Sequence, residues 1–393
     1  MNEHSDVPRA AEDLSSEPLG VRFTAAILEP IKRVFVGKDE VVDLLGVSLI
    51  ARENLFILGP PGTAKSALVQ ELARRIDGRI FDYLLTRFTE PNELFGPFDI
   101  RKLREGELLT NTEGMLPEAD FVFLDELLNA NSAILNSLLM VLNERIFRRG
   151  RETRSLPTLI VVGASNGLPE DEALAALFDR FLLRVRCDNV EAEKLENVLT
   201  AGWELDKQLK VENATVTVEN IRCLQKQIHD VDLTVIRKPY LNLIHRLRHA
   251  GISVSDRRAV KLQRLIAASA LLCGRQEALV SDLWVLRYIW DTEEQIDVLA
   301  SLVQDVLKDE DEETNVHPRA KGHDAPDADQ LARGIEQILQ QLNVDDATAI
   351  QRTYLRDQLG LLASRLQWLD NSQQRGHLQN RIDEIWKQLE TTP

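Results

Sequence analysis

Between residues 20 and 189, short apolar runs alternate with stretches whose apolar residues recur at helical spacing. The runs Asn54–Leu58, Ile80–Thr86, Phe121–Leu124, Leu159–Ala164 and Phe181–Arg186 read as buried strands, and Ser66–Ile76 and Ala130–Asn143 read as amphipathic helices. That alternation predicts βαβ units stacked on a parallel sheet, hence an α/β core. From about 190 to 307 the strand signals fade and helical period dominates, as in Val260–Leu272, which predicts a separate helical domain. Lys308–Glu313 (KDEDEE) and the polar stretch running to Pro326 read as an exposed acidic linker over 308–326. Residues 327–393 carry three apolar stripes: Ile335, Ile338, Leu339 and Leu342; Leu355, Leu359, Leu362, Leu366 and Leu369; Ile382, Ile385, Trp386 and Leu389. Stripes at that spacing predict a small helical bundle or coiled-coil hairpin. Residues 1–19 are polar and acidic and read as a flexible lead-in.

Composition narrows the picture only in part. The chain has 393 residues with a formal net charge of −16, a balance that disfavours duplex nucleic acid and anionic lipid. Its three cysteines, Cys187, Cys223 and Cys273, are widely spaced, so buried thiols are expected rather than disulfides or a zinc site. The N-terminus has no apolar signal core, and no apolar run approaches the roughly 20 residues that a bilayer requires. A cytoplasmic protein without a membrane span is expected.

The chemistry concentrates where strands end. Asn54–Leu58 runs into Gly59-Pro60-Pro61-Gly62-Thr63-Ala64-Lys65-Ser66, and a helix follows at once. Such a loop turns backbone N–H groups toward phosphate oxygens, and the helix N-terminus adds partial positive charge. Lys65 is expected to reach the β- and γ-phosphates of ATP and Ser66 to hold Mg²⁺. The general pattern has glycine where Ala64 stands. Phe121–Leu124 delivers Asp125 and Glu126 to the sheet edge that binds ligands, the first as a Mg²⁺ partner and the second as the group that polarises the attacking water. Leu159–Ala164 brings Ser165 and Asn166 to the same edge, where an amide can orient that water.

GPPGTAKS, FVFLDE, GASN and LFDRF, in this order and spacing, closely resemble the MoxR family of AAA+ ATPases, and most of all its RavA (regulatory ATPase variant A) subfamily. The resemblance covers roughly residues 20–300. It implies an AAA+ αβα core over 20–189, an α-helical lid over 190–307, and a ring, normally a homohexamer, with ATP sites between subunits. It matches Val36 and Gly37 to the adenine-side segment, Arg180 to the arginine finger and Arg257 to the lid arginine called sensor 2, with Arg258 leaving a one-residue ambiguity. Whether Arg257 serves its own subunit or a neighbour stays open at this point.

Residues 95–115, expected to form a hairpin turning near Glu105-Gly106, resemble the family's helix-2 insert; Arg145–Pro157 resembles the hairpin before sensor 1. The second holds Arg145, Arg148, Arg149, Arg151 and Arg154, and Arg145 is a further candidate for an arginine acting on a neighbour. RavA-type chains continue into a β-rich module that binds a metabolic enzyme; this chain ends after its helical stretch, so that partner is not expected. The wider family pattern implies an ATPase that works with a von Willebrand factor A-domain (vWA) protein to remodel or activate a client. The alternatives are a nucleic-acid-dependent ATPase and a nucleotide-gated scaffold in a defence or signalling system.

Overall fold

The computed structural model describes residues 17–105, 109–149, 152–169, 172–190, 194–207, 216–307 and 315–321, and in the C-terminal segment 332, 335–336, 338–339, 359–360, 363, 366 and 372–391. The described strands are β1 (Leu55–Leu58), β2 (Ile80–Leu84), β3 (Phe121–Asp125), β4 (Ile146–Arg149), β5 (Glu152–Ser155), β6 (Ile160–Ser165) and β7 (Leu183–Arg186). Five of them form one parallel sheet in the order β2-β3-β6-β1-β7, while β4 and β5 pair as a separate antiparallel hairpin. β1 and β6 are buried along their whole length, as uninterrupted apolar runs in a covered parallel sheet should be. β2, at the sheet edge, alternates between exposed and covered positions. The five strands expected from sequence are thus present, each with bounds shifted by one or two residues.

Helices cover the sheet, among them Asp39–Ala51, Lys65–Ile76 and Ser132–Glu144. The lid helices are Val218–Gln227, Arg237–His249, Asp256–Leu272 and Gln295–Leu307, preceded by Leu195–Lys207. The expected separation between core and lid does not hold in packing. One apolar core runs from Phe23 through the sheet to Val303, and residues 1–320 form one compact unit. The reason lies in the N-terminal helix Leu19–Phe23, which packs on the lid helix Asp256–Leu272. A Cβ at Gly20 would lie 1.8 Å from the Leu271 carbonyl oxygen, so only glycine admits this approach. Glu53, buried just before β1, then binds Lys261 at 3.0 Å and Arg264 at 3.1 Å, tying the same lid helix to the sheet.

The expected linker over 308–326 is also corrected. Residues 308–314 and 322–326 lie outside the described residues, but 315–320 belong to the compact unit. His317 stacks on Trp284 with ring centroids 4.4 Å apart, and Arg319 Nε sits 2.7 Å from Asp43 Oδ2. A polar stretch docks here because the body offers a buried indole face and a buried carboxylate, Asp43, whose second oxygen is left for Arg319 while the first meets Lys32 at 2.7 Å.

The second unit, residues 321–393, has its own small apolar core, in which Ile335, Ile338, Leu359, Leu366, Ile382 and Ile385 are buried. Its described helix is Ser372–Thr391, and Arg381 pairs with Glu336. Ile335, Ile338 and Leu339 of the first expected stripe, Leu359 and Leu366 of the second and Ile382, Ile385 and Trp386 of the third meet there; Leu342, Leu355, Leu362 and Leu369 lie outside the described residues. Residues 1–16 of the expected lead-in lie outside the described residues; Leu19 already begins a helix. Among the described residues, no helix is long and apolar enough to cross a membrane. Cys187 is buried as expected, but Cys223 is exposed and Cys273 only partly covered.

Burial pushes the His317 imidazole down to about 4, and its Nδ1 accepts from the Arg319 backbone N–H at 3.2 Å, which requires the neutral ring. The unfolded chain binds that proton near pH 6.5, so stability is complete above that value and is lost as pH falls toward 4. The lost stability is about 3 kcal/mol. His317→Phe, which keeps the stack on Trp284, is expected to show a shallower loss between pH 6.5 and 4 in urea-unfolding free energies.

Candidate nucleotide site

β1 ends between β6 and β7, and its chain is turned out by a close approach. Gly59 N–H donates to Ser165 O at 3.0 Å, and Cys187 N–H donates to Leu58 O at 2.8 Å. A Cβ on Gly59 would lie 2.3 Å from Cys187 O, so the loop can leave the sheet here only without a side chain. Thr63 Oγ1 donates back to Pro60 O at 3.0 Å, and Cys187 Sγ donates to Thr63 O at 3.3 Å. Pro60 and Pro61 stiffen the turn, and Gly62 takes φ +84°. Ala64 follows at φ 66°, ψ 24°, the left-handed region that glycine occupies in the general motif.

The helix Lys65–Ile76 starts without any side-chain cap, which leaves its first N–H groups for a ligand. Lys65 is buried, and its ammonium donates to Gly59 O at 2.9 Å and Pro60 O at 2.8 Å. The lysine is therefore folded over the loop that an anion would occupy. Ser66 is half-buried beside it at the start of the helix.

β3 places Asp125 at its C-terminal end and Glu126 immediately beyond, on the edge where β1 releases the loop. Glu126 takes φ 49°, ψ 42°, and its N–H donates to Asp125 Oδ1 at 3.0 Å. Burial and the neighbouring Asp125 carboxylate raise the Glu126 pKa above the ordinary glutamate range, and Lys65 opposes that rise. Asn166 follows β6 on the same edge and is exposed. Sequence reasoning had grouped Gly59–Ser66, Asp125, Glu126 and Asn166, and the fold brings them to one edge. Val36 is half-buried and Gly37 takes φ +73°, where a Cβ would lie 3.1 Å from Val190 Cγ1. Lys38, adjacent to them and missed from sequence, donates to Asp188 O, so 36–38 and the strap after β7 meet beside the loop.

The arginines sit elsewhere. Arg180 precedes β7, and its carbonyl accepts from Asn54 Nδ2 at 2.8 Å, at the opposite edge of the sheet. Its side chain meets Asp179 at 3.4 Å, and its Nε is buried without a partner among the described residues. Arg257 is exposed, with Nη2 3.4 Å from Asn143 Oδ1, next to Leu142, whose carbonyl also accepts from Asn54. Both arginines therefore lie on the Asn54 edge, and neither meets the phosphate loop of the same chain. Arg258 is buried and spent on Ser253 O, Ile289 O and Asp291, which leaves Arg257 as the one of the pair with an exposed head.

Arg145, the further candidate for an arginine acting on a neighbour, is turned inward. It is buried, its Nη2 donates to Asn54 Oδ1 at 2.7 Å, and burial pushes its pKa down to about 10. The reason is the turn after Ser132–Glu144: at φ 53° Arg145 folds inward under the β4–β5 hairpin. The basic cluster is otherwise partly consumed within the chain. Arg149 donates to Gly96 O at 2.7 Å and lies over the Phe98 ring, and Arg154 reaches Thr112. The stretch 95–115 closes at its base, with Asp99 N–H on Leu109 O and Asn111 N–H on Pro97 O. It carries a short helix, Ile100–Arg104, where only a hairpin turn was expected.

A further buried charge group was not visible in sequence. Arg184, fully buried on β7, holds Trp290 O at 2.7 Å and Asp291 at 2.8 Å, and burial beside Arg258 pushes its pKa down to about 9. No motif marks it; only the fold brings β7 against residues 289–291.

A family model described as the MoxR domain in the MoxR–vWA–beta-propeller ternary systems matches residues 22–226, and one described as an AAA lid domain matches residues 231–303. Two uncharacterized proteins of Methanocaldococcus jannaschii are each 36% identical to this chain. One match spans 283 residues (71% of this chain, 73% of that protein) and the other 266 (67% and 70%). The chaperone MoxR1 of Mycobacterium tuberculosis is 28% identical over 200 residues, half of this chain and 52% of its own length. A solved structure from Cytophaga hutchinsonii, described as a candidate ATPase, shares the fold with a TM-score of 0.61 at 18% identity, covering 76% of this chain and 98% of its own.

Ala64 and Gly59 make opposite predictions for stability. Ala64→Gly relieves a left-handed alanine and should be neutral or stabilising by roughly 0.5 kcal/mol. Gly59→Ala forces the loop off Cys187 O and should cost about 1–3 kcal/mol. Denaturant unfolding of the two variants measures both.

Proposed function

This chain belongs to the MoxR family of AAA+ ATPases, and on that premise we propose that it hydrolyses ATP with Mg²⁺ in a homohexameric ring, at sites completed by a neighbouring subunit. The observation that carries the reading is the division of the chain into two edges. The phosphate loop, Asp125, Glu126 and Asn166 share one, and Arg180 and Arg257 lie at the other. The Ala64 of the phosphate loop supports a closer affinity to the RavA subfamily.

Lys65 exchanges the Gly59 and Pro60 carbonyls for phosphate oxygens, while the uncapped N–H groups at the start of Lys65–Ile76 receive the rest of the chain of phosphates. Ser66 and Asp125 are the residues to hold Mg²⁺. Among the described residues no group of three or more His, Cys, Asp or Glu could bind a metal alone. A hydroxyl and one carboxylate instead fit a cation that takes its other ligands from phosphate and water. When bound, Mg²⁺ draws charge from the phosphate oxygens. Asn166 orients a water for attack on the γ-phosphorus. As the bond to the β-phosphate oxygen breaks, Glu126 accepts the proton of that water. Arg180 of the adjoining subunit supplies positive charge to the departing phosphoryl group, and Arg257 of that subunit assists. Val36 and Gly37 flank the adenine side.

Turnover in such a ring is the motor for remodelling or activating a client protein. The name of the matching family model supports a vWA-domain partner. The engagement of Arg149 and Arg154 with Gly96 and Thr112 leaves less of the basic cluster for nucleic acid.

Lys65→Ala should lose ATP binding, whereas Glu126→Gln should bind ATP and hydrolyse it poorly; equal nucleotide affinity in wild type and the Lys65 variant would sink the assignment. Arg180→Ala should lower turnover by about 10³-fold or more with binding retained. Mixed with Lys65→Ala subunits it should regain activity, because only the mixed ring places a sound loop opposite a sound finger. A mixture that co-assembles and stays inactive rules out Arg180 as the trans-acting group.

The raised pKa of Glu126 predicts an acid limb for turnover. Since the ionised carboxylate is the active form, the rate should fall with decreasing pH, at values above the ordinary glutamate range. Glu126→Asp should move that limb, and a limb unchanged in position would assign it to another group.

A further inference from the structure

Asn54 is buried at the foot of β1, and its side chain joins three separate pieces of the chain. Its Oδ1 accepts from Arg145 Nη2 at 2.7 Å, while its Nδ2 donates to Arg180 O at 2.8 Å and to Leu142 O at 3.3 Å. A guanidinium has donors and no acceptor, so the buried Arg145 can meet only the oxygen of that amide. The choice turns both N–H groups of Asn54 toward the two carbonyls. The reverse orientation would set donor against donor at Arg145 and oxygen against oxygen at Arg180 and Leu142. Arg145 is itself held at its root, since its N–H donates to Val141 O at 3.1 Å and its carbonyl accepts from Leu156 N–H at 2.8 Å.

The backbone of Arg180 is fixed, and its head is not. Phe178 and Phe181, which flank it in sequence, both pack edge-on against Phe56, with ring centroids 4.9 and 5.7 Å away. Phe56 lies two residues beyond Asn54, on the same side of the strand. The Arg180 N–H donates to Leu177 O at 2.9 Å. The guanidinium, by contrast, has a 3.4 Å approach to Asp179, and the side chain is 27% exposed. A pair of that length near water contributes little. The peptide of Arg180 is therefore the anchor, and Asn54 is the polar group that grips it.

We propose that Asn54 and Arg145 are positioning residues for Arg180: the buried guanidinium orients the Asn54 amide, and the amide fixes the peptide from which Arg180 reaches a neighbouring subunit. The inference rests on the trans role of Arg180 proposed above and adds which residues aim it. Asn54 also begins the strand that ends in the phosphate loop, so a purely structural role would act on the loop of its own subunit. Positioning acts on the site of the next one. Mixed rings separate the two.

The test uses the full chain with Mg-ATP. Asn54→Asp keeps the size and the acceptor for Arg145 but sets a carboxylate oxygen against Arg180 O. It should lower kcat by about 10–100-fold, the effect of a misplacement near 1 Å, with ATP affinity and assembly unchanged. Mixed with Lys65→Ala subunits, which supply a sound finger, it should regain turnover. Mixed with Arg180→Ala subunits it should stay slow, because neither chain then supplies one. Recovery with Arg180→Ala subunits, or with neither partner, places the defect elsewhere and overturns the proposal, as does an unaltered kcat. Arg145→Met should follow the same pattern, and Arg145→Lys, which still donates to Oδ1, should recover most of the rate; an Arg145→Met chain as fast as wild type removes Arg145 from the role. Should Asn54→Asp fail to fold, the double variant Asn54→Leu/Arg145→Met replaces both polar partners by apolar ones and carries the same mixing test. The mixture of Lys65→Ala with Arg180→Ala is the control. If it co-assembles and stays inactive, the trans role of Arg180 itself falls, a result distinct from failure of Asn54 to position it.

Discussion

A parallel sheet has two chemically different edges, and in this chain the residues suited to one reaction are divided between them. From Asn54 to Gly59, along β1, the chain rises about 16 Å. The phosphate loop leaves one end, and Asn54 gathers the other end by donating to Leu142 O and Arg180 O while accepting from Arg145. No arginine side chain spans that length within one subunit. Shortening a strand or reversing its sense would bring the groups together only by dismantling the βαβ crossovers that make the sheet. The separation of Arg180 and Arg257 from the phosphate loop follows from topology, and on their proposed roles it calls for a second copy.

Buried charges hold that geometry across the sheet and lid. Glu53 takes Lys261 and Arg264, Arg184 and Arg258 share Asp291, and Asp43 takes Lys32 and Arg319. Each cluster has a deeply buried charge (Glu53, Arg184, Asp43) met by a partner that keeps some contact with solvent, so the pair itself adds little net stability, but removing the partners strands the buried charge and costs up to about 3–5 kcal/mol. Such contacts favour one placement over many. They explain why the lid helix Asp256–Leu272, though distant in sequence, keeps Arg257 beside Asn143 rather than over the phosphate loop.

What was legible in the sequence follows from range. The strands, the loop Gly59–Ser66 and the carboxylates at the end of β3 are local patterns, set by period and by the stereochemistry of a turn. The buried state of Arg145 was not legible, because a cluster of arginines looks the same whether it faces water or an asparagine 91 residues away. Nor was the docking of His317 and Arg319, since a polar stretch carries no sign that Trp284 and Asp43 await it. The sharing of one core by lid and sheet depended on Gly20, a residue with no motif around it.

The geometry around Lys65 and Glu126 fits the proposed dependence of turnover on a neighbouring copy. Lys65 is satisfied by its own loop carbonyls, and Glu126 sits in a left-handed backbone with its proton affinity raised by burial and by Asp125. A base of that kind is well matched to accept a proton once positive charge arrives on the phosphate, and poorly matched to act before. If, as proposed, Arg180 of another copy supplies that charge, the chemical step is conditional on contact between subunits. Hydrolysis then reports on assembly. On the proposed function, anything that shifts one subunit against the next, a client or a vWA partner included, would act on the rate without touching the nucleotide.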